Sequence, residues 1–345
     1  MGSGVTLLWC RTREAPSLQQ VRSFHALTSN ARNVLLVLGL LVSASGAAEP
    51  TTLREGNIAV GNTSLFYREI GLGSPVIVLH GGPDFDHSYL LPELDRLSDL
   101  FQLIYYDQRG RGRSAVGVRP AEVSLGSDIA DIDAVREYFH LERVILMGHS
   151  WGTDLAIEYA LQNPNRVSRL ILLNPAPASA ADLKLFREYY VKALGTDLGR
   201  QREIANSAAY QDGDPTAVTA RYRIHFKPAL ARSEDFEKLM TRMHAAFIHQ
   251  GSEGIKKARA VEDRLMRDSW ELPTYDLLSK LRNLNVPTLI VAGDHDFIPP
   301  VIAQHIAQAS PNAHLAVLEN CGHFSYLECP EKLRKEIDQF MRLEK

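Results

Sequence analysis

Six short apolar runs recur along the chain: PVIVL (75–79), QLIYY (102–106), RVILM (143–147), RLILLN (169–174), PTLIVAG (287–293) and HLAVL (314–318). They are apolar throughout instead of alternating with polar residues, so they read as strands covered on both faces. Upstream, NIAVG and SLFYREI read as a hairpin joined by the Gly-Asn-Thr turn between them. Between several runs the apolar spacing lengthens to the helical period. In SDIADIDAVREYFH (127–140), Ile129, Ile132, Val135 and Phe139 share one face, and Ser127 is the expected N-cap. Strand and helix in alternation predict an α/β fold with a mostly parallel central sheet flanked by helices.

The alternation stops after Pro175. From 177 to 281 no apolar strand run occurs, and helix-like stretches such as ADLKLFREYYVKAL and SEDFEKLMTRMHAAFIHQ surround a polar patch, YQDGDPTA. This predicts a helical cap over 177–281, inserted between sheet strands of a core made of 49–176 and 282–345. No internal repeat or low-complexity tract interrupts the pattern.

The first 48 residues differ. Arg11, Arg13, Arg22 and Arg32 face only Glu14, and VLLVLGLLV (34–42) is followed by the small residues SASGAA. A basic start, a short apolar run and a small-residue site near Ala47 or Ala48 form the pattern of a secretory signal peptide, which predicts a secreted or periplasmic protein. An organelle transit leader, or a start upstream of the true initiator in a cytoplasmic protein, are the competing readings. Nine apolar residues are too few to span a bilayer of about 30 Å, so no membrane partner is expected of the mature form. The 345-residue chain carries a net charge of −3, and loss of the leader's net +3 would leave −6. With 45% hydrophobic residues it can bury a large core, and the lack of a basic block gives nucleic-acid binding no support. Only Cys321 and Cys329 remain beyond Cys10 of the leader, too few for a disulfide framework; they form either one bridge or two free thiols.

The chemistry concentrates around MGHSWG (147–152). A Gly-x-Ser-x-Gly turn between a strand and a helix places Ser150 at a sharp elbow, with flanking glycines relieving the crowding that any Cβ would cause. A serine hydroxyl needs a base. Asp294 and Asp296 both follow PTLIVAG, and His323 follows HLAVL, so Ser, Asp and His appear in the order, and at the strand ends, that an α/β-hydrolase sheet brings together. In LHGGPDFDH, Gly81 and Gly82 let a backbone amide approach a substrate; Gly82 is the preferred first oxyanion donor and the amide of Trp151 the second. No cluster has metal-ligand spacing, and no metal or cofactor is expected.

With HGGP (80–83), YYDQRGRGRS (105–114), GHSWG (148–152), VAGDHDFIPP (291–300) and CGH (321–323), the chain resembles the α/β-hydrolases, and within them the proline iminopeptidase-like serine peptidases. The resemblance runs from about residue 55 to the C-terminus and implies Asp296, three residues after Gly293, as the acid, with Asp294 second. It implies that His323 takes the proton of Ser150, that the oxygen attacks a carbonyl, and that water releases the acyl group. The substrate would then be a small molecule or short peptide: an aminopeptidase substrate with proline preferred, or alternatively a small acyl ester. A non-catalytic ligand-binding member of the fold is the remaining class.

The resemblance departs at two places. Asp84 stands where HGGPG would end in glycine, and a cap tryptophan-glutamate pair has no match in TARYRIHFKPAL. Family members hold a substrate amine with cap acids, and the candidates here are Glu203, Asp212, Asp214, Glu234, Asp235, Glu237, Glu253 and Glu262, each expected to be solvated. Asp84, close to the oxyanion loop, either meets a cationic substrate group or holds the loop.

Overall fold

The structure, a computed structural model, describes residues 53–342, all within one compact unit, Pro50–Lys345. The leader assigned from sequence lies outside the described residues. Eight strands form one sheet: β1 (Arg54–Val60), β2 (Thr63–Ile70), β3 (Ser74–Leu79), β4 (Phe101–Tyr106), β5 (Val144–His149), β6 (Val167–Leu173), β7 (Thr288–Gly293) and β8 (Ala313–Leu318). Their order is β1-β2-β4-β3-β5-β6-β7-β8. β1 and β2 pair antiparallel, β2 pairs antiparallel with β4, and every pairing from β4 through β8 is parallel. The expected hairpin turns at Gly61 and Asn62, with Thr63 already in register opposite Val60.

Side chains of each strand alternate between two cores because the strand period is two. Val144 and Leu146 of β5 join one core with Ile77, Leu79 and Ile290, while Ile145 and Met147 join the other with Val76, Val78 and Leu289. This two-sided burial is why the runs are apolar throughout. The exception is β8, an edge strand with one neighbour, where Val317 is 41% exposed.

Helices α1 (Leu125–Tyr138) and α2 (Trp151–Gln162) follow β4 and β5. The N-cap of α1 is Ser124, not Ser127: the Ser124 hydroxyl accepts from the Ser127 amide and Ser127 reaches back to the Ser124 amide, a capping box that starts the helix three residues earlier than a Ser127 cap would. Between β6 and β7 lie α3 (Ala180–Leu194), α4 (Asp197–Ala205), α5 (Ala208–Gln211), α6 (Pro215–His225), α7 (Ser233–Asp268) and α8 (Leu278–Leu281), with no named strand. Gly251, at φ 65° and ψ 171°, breaks α7 into two helical segments. After β7 come α9 (Val301–Ala309), and after β8 α10 (Ser325–Glu328) and α11 (Pro330–Arg342). Cys321 and Cys329 are buried free thiols. Among the described residues no helix is long and apolar enough to cross a membrane.

Replacing Ser124→Ala removes the side-chain acceptor at the start of α1 and is expected to lower unfolding free energy by about 1 kcal/mol, measured by urea titration.

Candidate active site

Ser150 joins β5 to α2 with φ 54° and ψ −123°, a backbone region that costs a non-glycine residue strain. Hydrogen bonds on both sides hold it there. The Ser150 amide donates to the Leu173 carbonyl (3.0 Å), and its carbonyl accepts from the Thr153 amide (2.8 Å) and hydroxyl (2.6 Å). The Thr153 hydroxyl oxygen in turn accepts from the Ala176 amide (3.2 Å), tying the elbow to the segment after β6. The flanking glycines are required by close approach: a Cβ on Gly148 would collide with the Gly152 carbonyl, and one on Gly152 with the Leu79 carbonyl.

His323, 1% exposed, meets Asp296, 3% exposed, through Nδ1 at 3.0 Å from both carboxylate oxygens. Asp296 also accepts from the Ile298 amide (2.8 Å) and the Asn174 side-chain amide (2.9 Å). Asp294 instead accepts from the Cys321 amide (3.1 Å) and meets His295 (2.7 Å), so Asp296 is the acid beside the imidazole. With Nδ1 engaged, Nε2 is the free nitrogen of a ring that borders the same cavity as Ser150. Among the described residues the Ser150 hydroxyl makes no protein hydrogen bond, an open arrangement common in sites without substrate. The backbone around His323 is held at four points. The Gly322 amide donates to Glu328 (2.8 Å), the Gly322 carbonyl accepts from Asn174 (2.9 Å), the His323 amide donates to the Ala229 carbonyl, and the His323 carbonyl meets His149 Nε2 (2.9 Å).

The two glycines after β3 separate in role. Gly82 borders the cavity, with φ 87° and no room for a Cβ against the Phe85 ring. Gly81, expected as a substrate contact, does not border it: its amide donates to Tyr89 Oη (2.7 Å), and a Cβ there would lie 2.8 Å from the His149 carbonyl and 2.9 Å from Ser150 Cβ. It is packed behind the elbow and has no donor to spare. Trp151 begins α2, so its amide has no intrahelical acceptor and lies at the positive end of the helix.

The cavity has aromatic walls from Phe85, Phe186, Tyr222, Phe226, Trp270, Phe297 and Phe324, with two carboxylates among them, Asp84 and Glu262. Asp84 is 4% exposed and accepts from Tyr222 Oη (2.5 Å). Burial raises its pKa above the ordinary value, while the Tyr222 hydrogen bond and the Arg221 charge oppose the shift. Glu262 is pushed well above the usual carboxylate range by burial and by Asp84, again opposed by Arg221. Two acids therefore share this wall, with the guanidinium groups of Arg221 and Arg259 opposing the rise of both. Of the eight cap acids named from sequence, Glu262 is the one bordering the cavity. Asp214 caps α6 through the Ala217 amide, and Asp235, Glu237 and Glu253 pair with Arg232 and Lys238, Arg223, and Lys256. Glu203, Asp212 and Glu234 are exposed.

Several site residues carried no motif. Asn174 ends the apolar stretch of RLILLN with a polar residue, a signal that was available in the sequence. Tyr89, His225 and Trp270 border the cavity from loops and cap segments whose sequence does not announce them. Among the described residues no group of three or more His, Cys, Asp or Glu is placed to hold a metal ion.

Comparison with known proteins identifies the family and the fold. The family model described as the alpha/beta hydrolase fold matches residues 74–330. A proline iminopeptidase of Lactobacillus crispatus is 26% identical over 299 residues, covering 83% of this chain and 98% of the relative. Among solved structures, a proline iminopeptidase of Mycobacterium smegmatis superposes with a TM-score of 0.60 at 23% identity, covering 84% of this chain and 97% of that one. An esterase from Rhodococcus sp. ECU1013 superposes with a TM-score of 0.64 at 21% identity, covering 85% and 99%.

The cavity residue Trp270 is anchored to the elbow helix by Asp154, whose Oδ2 accepts from Trp270 Nε1 (2.8 Å) and Tyr275 Oη (3.0 Å). Burial outweighs these donors and pushes the Asp154 carboxyl from its ordinary 3.8 up to about 8. Between those values the folded protein holds a proton that the unfolded chain has lost, so this group's contribution to stability falls as pH rises through the window and levels off above it. Asp154→Asn, which keeps the shape without the titration, is expected to show a shallower loss of stability between about pH 5 and pH 8 than the parent, measured by urea unfolding at each pH.

Proposed function

The chain belongs to the α/β-hydrolase fold family and is similar to proline iminopeptidases, and on that premise we propose that it is a serine hydrolase that cleaves amide bonds through an acyl-enzyme, acting as an aminopeptidase on small or short-peptide substrates. The observation that carries the reading is one cavity bordered by Ser150 on its elbow, His323 backed by Asp296, the Gly82 and Trp151 backbones, and the Asp84–Glu262 pair.

In the proposed mechanism, His323 Nε2 takes the Ser150 proton as Oγ attacks the substrate carbonyl, and the Gly82 and Trp151 amides stabilise the oxyanion. Asp296 orients the imidazole and stabilises its cation; the imidazolium then protonates the leaving amine, and water, activated by the same base, releases the acid. The substrate's ammonium group rests against Asp84 and Glu262. The upward shifts of both acids support this assignment, because a cation between two buried carboxylates relieves the repulsion and desolvation that raise them. One feature favours an ester substrate instead: Arg221 already brings positive charge to the pair. Secretion through the leader remains part of the proposal, tested by sequencing the N-terminus of the exported chain.

Ser150→Ala is expected to lower turnover about a thousandfold or more and to abolish labelling by a fluorophosphonate probe; label retained at the same site mass would refute the nucleophile. Turnover compared on a prolyl arylamide, an alanyl arylamide and a p-nitrophenyl acyl ester decides the substrate class, with the prolyl arylamide expected to be best and activity confined to the ester rejecting the aminopeptidase. Glu262→Gln is expected to raise KM for arylamides with a free amine by about tenfold and to leave KM for N-acylated or ester substrates unchanged. For the free-amine substrates, KM should also rise as pH falls, because the raised acids take up protons and lose the charge that holds the ammonium.

A further inference from the structure

A buried hydrogen-bond chain runs through the wall of the cavity, which Tyr89, His149 and His323 border, from the loop after β3 to the loop after β8. The Gly81 amide donates to Tyr89 Oη (2.7 Å), Tyr89 Oη meets His149 Nδ1 (2.7 Å), and His149 Nε2 meets the His323 carbonyl oxygen (2.9 Å). Tyr89 is 3% exposed, His149 2% and His323 1%. The proton positions follow from the partners. A carbonyl oxygen only accepts, so His149 Nε2 carries the hydrogen; the neutral ring then has an accepting Nδ1, and the Tyr89 hydroxyl must donate to it while accepting from Gly81. Burial and the neighbouring His323 charge hold His149 well below the ordinary histidine range, which keeps the ring in this neutral tautomer. All hydrogens therefore point one way, from the oxyanion loop to the loop of the base.

We infer that Tyr89 and His149 are positioning residues that set the Gly82 loop and His323 in one register around Ser150, and that close His149 to the proton of the base. The second half follows from the same chain. The His149 and His323 rings lie 4.9 Å apart between centroids, near enough for a second imidazole to compete for a proton. With Nε2 already protonated and Nδ1 filled by Tyr89, His149 has no accepting site, so the proton gained by His323 goes to the leaving group. His149 immediately precedes Ser150 at the end of β5, so the chain is tied to the elbow by one peptide bond. A shift of either loop changes the distance from the attacked carbonyl to its donor or its base, and misplacement of about 1 Å costs about a hundredfold in rate.

The inference rests on the serine-hydrolase reading, so its test uses a readout separate from substrate identity: the second-order rate of Ser150 labelling by a fluorophosphonate, alongside kcat and KM on whichever ester or arylamide is turned over. Tyr89→Phe keeps the ring and removes both hydrogen bonds. It is expected to lower labelling rate and kcat about ten- to a hundredfold with KM within about twofold. At position 149, His149→Gln can still present an N–H to the His323 carbonyl, whereas His149→Leu cannot. The Gln variant is expected to keep at least about tenfold more activity than the Leu variant at matched melting temperature. Tyr89→Phe labelling at the parent rate, or Gln and Leu variants losing rate equally once corrected for folded fraction, would overturn the inference. Labelling of Ser150→Ala at the same site would instead overturn the hydrolase reading, which separates the two failures.

Discussion

The arrangement depends on one backbone constraint, the close approach of the start of α2 to the ends of β3 and β5. At Gly148 and Gly152 a single added carbon would meet a carbonyl oxygen, so the helix can sit this close only without side chains at both positions. That approach forces Ser150 into its positive-φ conformation, at a strain of about 1–3 kcal/mol for such a residue. The Leu173 and Thr153 hydrogen bonds offset it. Once the elbow is set, Ser150 faces the cavity, the Trp151 amide lies at the helix terminus, and His149 turns down toward the base loop. Three features follow from one tight junction.

The second half of the site comes from far along the chain and is held by backbone bonds. The peptide groups on both sides of His323 are engaged by Glu328, Asn174, Ala229 and His149. These partners come from α10, the end of β6, the cap and the end of β5. The cap thus does more than roof the cavity, since its Ala229 carbonyl fixes the His323 amide and its Glu262 supplies half of the acidic pair. Burial gives these contacts their weight: the same hydrogen bonds in water would exchange freely with solvent, whereas here each lost partner leaves a desolvated group.

The cavity wall combines features that are costly apart. Aromatic rings exclude water, and that exclusion raises the affinity of Asp84 and Glu262 for protons. Arg221 and the Tyr222 hydroxyl oppose that rise at Asp84. On the proposed reading, an uncharged occupant would leave the two acids unrelieved, whereas a cation would offset the cost of their burial.

Much of this was legible from sequence because it is local. The apolar strand runs reflect two-sided burial, and the spacing of Gly148, Ser150 and Gly152 reflects a steric requirement within one turn. The strand-end positions of Asp296 and His323 reflect the topology that their flanking runs already imply. Local pattern misassigned the α1 cap because Ser124 and Ser127 are both good cap residues, and only the reciprocal bonds between them say which one starts the helix. The choice of Asp296 over Asp294 by resemblance agrees with the geometry, but it is the fold that turns one carboxylate to the imidazole and the other to the Cys321 amide. Gly81 against Gly82, Glu262 among eight acids, and the Tyr89–His149 connection were decided by tertiary structure alone. Each depends on which groups from distant segments meet in a dry interior, and the energy of such a meeting is set by partners that sequence neighbours do not supply.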